Sequence, residues 1–363
     1  MNLPKRIPIL LLLSLLALLP LAAAQGGEVI AGGLNGPMGV LVALDGSVWV
    51  VDSGTGGDQA VEILDPESGE TITAQIGNTS RVLQIHADGS QTVAATLPSV
   101  LTGEEAGGGS RLARLGINLY VTSGGWEEAN GPEPLPMMAV VARVKNGEAT
   151  AVASTWSLER DENPDGFILD SHPYAITGGP DGNLYVGDAG GNALLRVNPR
   201  SGKVEVVAVF DGIPSPLPNP ARNGRQESDP VPTGVVVDRD FNIYLSLLPG
   251  FPFLPGSAKV VKVSPDGSVS DFATGLTFLT DLRQGPDGKL YAVQMAVFGE
   301  QGPTPNSGAL VRIDRDGNSE VELDGLSFPT SVDFNPAGDA YLTINGVGAP
   351  GSGQLVRFNG VAR

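Results

Sequence analysis

Short apolar runs separated by turn residues recur along almost the whole chain, and nothing beyond the N-terminus sustains a helical period. The clearest example is His172 to Gly212, HPYAITGGPDGNLYVGDAGGNALLRVNPRSGKVEVVAVFDG. Its runs AIT, LYVGD, ALLRV and VEVVAVF are separated by Pro180-Asp181-Gly182, Gly190-Gly191-Asn192 and a bend from Pro199 to Gly202. Each run is of strand length, rich in Val, Leu, Ile and Tyr, and bounded by residues that favour turns. The pattern predicts a four-stranded antiparallel meander.

Worn copies of that meander fill the rest of the chain. Six segments align on its opening strand pair: 36–54, 109–125, 172–190, 231–247, 279–295 and 329–345. They carry Trp49, Tyr120, Tyr185, Tyr244, Tyr291 and Tyr341 at one shared place. A period of this size with four strands per copy predicts an all-β, six-bladed β-propeller. The sixth copy stops at Arg363 after its third strand, and a stray outer-strand sequence, EVIAGGL, stands at 28–34. The last blade is therefore expected to be closed by the N-terminal strand, which pairs both edges. In an a-b-c-d meander the a–b and c–d turns share one end. Here those are short, as at Asp181-Gly182 and Asp287-Gly288, whereas the long b–c and d–a segments all fall at the other end. That insertion face is where a site is expected.

Composition adds compartment and excludes one class of partner. Lys5 and Arg6, the apolar run Ile7 to Leu19 and Ala22-Ala23-Ala24 form the order of a signal peptide. Cleavage before Gln25 is expected, leaving 25–363 as the propeller, secreted or periplasmic and without membrane insertion. The competing reading is an uncleaved anchor. With no Cys, the core must stand on apolar burial without disulfides. The formal charge is −18, and losing Lys5 and Arg6 would take it to −20, which disfavours nucleic acid as a partner.

Candidate chemistry is thinner. Asp161, Asn163 and Asp165 alternate before Gly166 in DENPDGFILDSHPY, half of a calcium loop, with Asp170 as a further oxygen donor. An acidic loop of Asx turns is the competing reading. His172 is the one histidine expected on the insertion face, and with Asp281 it is a catalytic suspect. The channel mouth and the insertion loops are expected to offer Asn35, His172, Tyr174, Thr233, Phe251, Phe253, Thr280 and Asp281 to a ligand. Asp281 is the only carboxylate expected among the mouth residues, which weakens an enzyme reading. Asp52 and Asp188 end second strands and are expected to accept N–H bonds from the adjoining turns. Trp126, Met137, Met138 and Trp156 either add apolar lining or pack loops together.

NPDGFILDSHPYAI (163–176), VGDAGGNALLRV (186–197), VPTGVVV (231–237), LPGFPFLPGSAKVVKV (248–263) and GTGGD (54–58) together resemble the ScyD/ScyE family of secreted propellers. The wider likeness is to NHL-like and SMP-30-like six-bladed propellers. The resemblance implies fold, export and an accessory role, and supplies no catalytic residue. The expected function is a monomeric module binding a small molecule or extracytoplasmic protein through the insertion face. The alternative is a calcium-dependent lactonase or hydrolase of the SMP-30-like type.

Overall fold

The computed structural model describes residues 26–64, 71–103 and 105–363. The signal sequence and its cleavage point lie outside them. Six main antiparallel sheets form a β-propeller. Their innermost strands are Pro37–Val42, Gly109–Leu115, Pro173–Gly178, Pro230–Val237, Leu279–Gln284 and Ser331–Phe334, and each touches the next around a closed ring.

Why the strands read as nearly continuous apolar runs follows from this arrangement. Each sheet is covered on both faces by its neighbours, so both sets of alternating side chains must be apolar. The core is accordingly divided into clusters, one between each adjacent pair of sheets. Ile176, Leu184 and Val186 pack against Ala113, Tyr120 and Val141 on one side of the third blade. On its other side Tyr185 and Leu194 pack against Val235 and Leu245 of the fourth.

The repeated turn has a side-chain cause. Asp181 Oδ1 accepts the Asn183 N–H at 3.1 Å, and Tyr185 Oη donates to Asp181 Oδ2 at 3.2 Å. Asp287 and Tyr291 repeat the bond at 3.1 Å. In these two blades the recurring Tyr thus ties the second strand to the turn before it. Gly182 and Gly288 take φ of 77° and 79° there, a left-handed conformation that a Cβ disfavours.

Closure occurs where expected. Glu28–Leu34 pairs antiparallel with Gly353–Phe358, setting Ala31 opposite Leu355 and Leu34 opposite Gly353. Leu34 is fully buried and Ala31 nearly so, between the sixth and first blades. The insertions lie at the ends of the sheets that strand direction assigns to one face. Thr71–Ile85 runs on past its blade and pairs with Gln59–Leu64, raising a hairpin above the first blade. A second hairpin joins Ile213–Asn219 to Arg225–Ser228. Helix α1, Thr155–Glu162, is capped by Ser154 and ends at Asn163 in the left-handed region.

Candidate functional site

Each of the first five inner strands carries a register irregularity near its start, between Pro37 and Gly39, Gly109 and Leu112, Pro173 and Ala175, Pro232 and Gly234, and Leu279 and Asp281. A bulge at that point re-aims the intervening side chain. The intervening residues are Met38, Ser110 with Arg111, Tyr174, Thr233 and Thr280, and Asp281 and Ser331 are the next residues in on the fifth and sixth blades.

Arg111 fills the centre of this layer and is 1% exposed. Its guanidinium donates to the carbonyls of Ser110 at 3.0 Å and Thr330 at 2.8 Å, and to Tyr174 Oη at 3.3 Å. It also donates to the carbonyls of Met38 and Thr280. One side chain therefore bonds to the first, second, third, fifth and sixth blades. It stacks over the Tyr174 ring at 4.5 Å and faces Asp281 Oδ1 at 3.5 Å. Asp281 in turn accepts bonds from Ser331 Oγ at 2.5 Å, from the Leu282 N–H at 2.9 Å and from the Val332 N–H at 3.3 Å. Arg283 Nε stands 3.7 Å from it. The Asp281 carboxylate is thus fully engaged by neighbouring donors.

The other mouth residues divide. Thr233 Oγ1 donates to the Leu279 carbonyl at 2.8 Å, and Thr280 Oγ1 lies 3.4 Å from the Pro329 carbonyl, so both hydroxyls stitch adjacent blades. Asn35 Oδ1 accepts the Gly351 N–H at 2.9 Å. His172 is half-buried at the mouth, edge-on to Tyr174 with 5.7 Å between ring centroids. Gly125 packs against its ring so closely that a Cβ there would lie 2.9 Å from His172 Cγ. Burial pushes the His172 pKa down to about 4, leaving the imidazole neutral at ordinary pH.

The four suspected calcium ligands are not brought together. Asp161 sits on α1 and pairs with Arg160 at 2.9 Å. Asn163 Oδ1 accepts the Gly166 N–H at 3.0 Å and Asp165 Oδ1 accepts the Phe167 N–H at 3.0 Å, as in Asx turns. Asp161 lies in the last turn of α1 whereas Asn163 and Asp165 lie in the loop after it, and no metal-holding group of three or more carboxylates forms among the described residues. Asp170 lies in the short strand Asp170–Ser171, paired with Trp126–Glu127.

Asp165 and Asp170 instead border a different acid group, with Glu159 of α1 and Asp188. Asp188 accepts the His172 N–H at 2.6 Å, the Gly191 N–H at 3.2 Å and Ser171 Oγ–H at 2.8 Å, as its position at a strand end implies. Glu159 is 3% exposed. Burial, then the charges of Asp188, Asp165 and Asp170, push its pKa up to about 8. Burial and the charges of Asp188, Glu127, Asp229 and Asp165 push Asp170 up to about 8 as well. The sequence offered a signal for Glu159 only through the helix caps Ser154 and Asn163, which flank it.

Apolar groups on the insertion loops also divide. Trp156 is 1% exposed and donates from Nε1 to the Pro132 carbonyl at 3.2 Å, and Met138 is buried, so these two pack loop on loop. Phe251 is 71% exposed. It meets Phe253 edge-on, and Phe253, Phe278 and Phe298 form one aromatic cluster with centroids 4.7 to 5.1 Å apart. A cavity of about 680 Å³ lies elsewhere, among the short turns of the opposite face, between Tyr244, Phe272, Lys289 and Arg315. None of the residues expected in the site lines it.

No protein-family model matches this sequence, and no curated protein is similar to it in sequence. Solved structures share its fold. A putative glucose dehydrogenase oxidoreductase from Thermus thermophilus is 18% identical, with TM-score 0.53 over 91% of this chain and 98% of that one. The PQQ-bound aldose sugar dehydrogenase of Streptomyces coelicolor is 15% identical, with TM-score 0.52 over 92% and 96%. A gluconolactonase from Xanthomonas campestris is 13% identical, with TM-score 0.50 over 92% and 98%. The chain therefore shares the β-propeller fold with these proteins, and identity this low carries the fold alone.

Proposed function

We propose that this is an exported propeller of the ScyD/ScyE type that binds a small molecule or extracytoplasmic protein through its insertion face, without catalysis of its own. The observation that carries the reading is Arg111. Its guanidinium occupies the channel layer in which Asp281 lies and donates to groups of five blades, and the Asp281 carboxylate beside it is 1% exposed. A ligand entering from the mouth meets His172 and Tyr174 but not Asp281. What the face does present is the Phe251 ring above an aromatic shelf, a surface suited to an apolar or aromatic group. An environment-sensitive apolar dye should bind the protein, with Phe251→Ser weakening binding at least about threefold at unchanged stability. Dye binding indifferent to Phe251 would count against the shelf.

A second reading has one feature in its favour. The acid group beside His172 resembles the carboxylate-rich surroundings that calcium-dependent lactonases and hydrolases require, and a gluconolactonase is among the fold neighbours. On that reading His172 and Asp281 act on a lactone beside a bound ion, with Asn35 at the mouth. Saturable lactone turnover that is lost in both His172→Gln and Asp281→Asn would establish it in place of the binding module.

A further inference from the structure

The acid group around Gly190-Gly191 lacks counter-charge, and its oxygens converge closely on the glycine backbone. Gly191 has no side chain, and the place a Cβ would take lies 3.0 Å from Glu159 Oε2, 3.6 Å from the Asp170 main-chain carbonyl and 3.6 Å from Asp188 Cγ. The corresponding place at Gly190 lies 2.5 Å from Asp170 Oδ1. Two further atoms there have no hydrogen-bond partner though wholly buried: Glu159 Oε1 and Asn192 Oδ1. Asn192 is 4% exposed, and its amide nitrogen is held by Asp165 Oδ2 at 2.9 Å, leaving only its oxygen free. Buried acceptors without donors are costly, and buried carboxylates without a cation more so. The arginines of these loops are engaged elsewhere, Arg160 with Glu133 and Asp161, and Arg222 with Glu227 and Asp229.

We propose that this oxygen cluster beside Gly191 binds one hard divalent cation of calcium's class, with the Glu159 and Asp188 carboxylates, the Asp170 carbonyl and Asn192 Oδ1 as protein donors. All of these donors are oxygens, which suits calcium rather than a soft or imidazole-seeking metal. No three His, Asp or Glu side chains among the described residues are preset around one point. The site is instead mixed, with a main-chain carbonyl and an amide oxygen completing two carboxylates. Calcium tolerates such irregular sets, whereas magnesium demands a near-ideal octahedron. The bound ion would join α1, the strand Asp170–Ser171 and the second turn of the third blade, and so fix the ring of His172 at the mouth.

The inference goes beyond the binding role of the face, which depends on Arg111 and the Phe251 shelf. Its test is titration of EGTA-stripped full-length protein with CaCl2 and with MgCl2, by calorimetry and by tryptophan fluorescence. Trp126 pairs with Ser171 and Trp156 lies on α1, so two of the three tryptophans adjoin the site. One calcium should bind per chain, at least tenfold more tightly than magnesium, with a rise in the thermal midpoint. Glu159→Gln, a neutral isostere, should bind calcium at least tenfold more weakly while its midpoint in EGTA equals or exceeds that of the wild type. Asn192→Ala should also weaken binding. No calcium binding at millimolar concentration would overturn the proposal, because the cluster would then be neutralised by protons alone. Calcium binding unaffected by Glu159→Gln would overturn it too, as the ion would sit elsewhere. Neither failure would touch the dye-binding test of the shelf.

Discussion

Replacing Arg111 with Met keeps most of the side-chain volume and removes the charge and every donor. Asp281 would then lose the nearer of its two guanidinium partners, 3.5 Å away, while remaining 1% exposed. Breaking a buried pair by removing one partner costs about 3–5 kcal/mol. The carbonyls of Met38, Thr280 and Thr330 would lose a donor as well, at about 1–3 kcal/mol each if left dry. Water entering from the mouth would restore some of these bonds, and Asp281 keeps Ser331, two backbone N–H groups and Arg283. A net loss of about 3–5 kcal/mol is therefore expected, a large share of the 5–15 kcal/mol that is typical of a folded domain. Guanidinium unfolding followed by circular dichroism would measure it. Asp281→Asn alone should also destabilise, but the double variant should lose less than the sum, with coupling of at least about 2 kcal/mol. Arg111→Lys should fall between, because an ammonium cannot span acceptors from five blades. A loss below about 1 kcal/mol for Arg111→Met, or strict additivity with Asp281→Asn, would refute the keystone role.

Three further outcomes are expected. Leu34→Ala, in the closing strand, should cost about 2–5 kcal/mol by equilibrium unfolding, since a fully buried leucine leaves a cavity. Tyr291→Phe should cost about 0.5–1.5 kcal/mol by removing the bond to Asp287, measured as a shift in urea midpoint. Asp333 borders a second cavity, of about 520 Å³, and burial raises its pKa against the pull of Arg283. A raised carboxyl favours the protonated form in the fold, so its contribution to stability is greatest below about pH 4 and declines as pH rises through its folded value. Urea midpoints across acid pH should therefore fall less steeply with rising pH in Asp333→Asn than in the wild type. Parallel slopes would show that Asp333 does not titrate abnormally.

The architecture was legible because its causes are local. Turn Asp, left-handed Gly and the aromatic residue that follows them recur through the copies, and that repeat also exposed Glu28–Leu34 as a displaced strand. Arg111 was not legible. In GSRLARL it reads as one polar position of a half-buried strand. Only ring closure brings it against Thr280, Asp281 and Thr330. The acid group was half visible. Asp165 and Asp170 belong to a local motif, whereas Glu159 lies on a helix the strand pattern concealed and Asp188 and Asn192 come from the following blade. Asp281 shows the same limit in reverse. A carboxylate at the mouth of a channel suggests chemistry until the arginine facing it is known.

That relation sets the most direct test. Purified protein with millimolar calcium should be assayed on a panel of sugar-derived and aliphatic lactones, beside Asp281→Asn and His172→Gln. The proposed binding role predicts hydrolysis at the uncatalysed rate for all three proteins, whether or not calcium is bound. Saturable turnover by the wild type, lost in Asp281→Asn while that variant stays folded, would contradict the account.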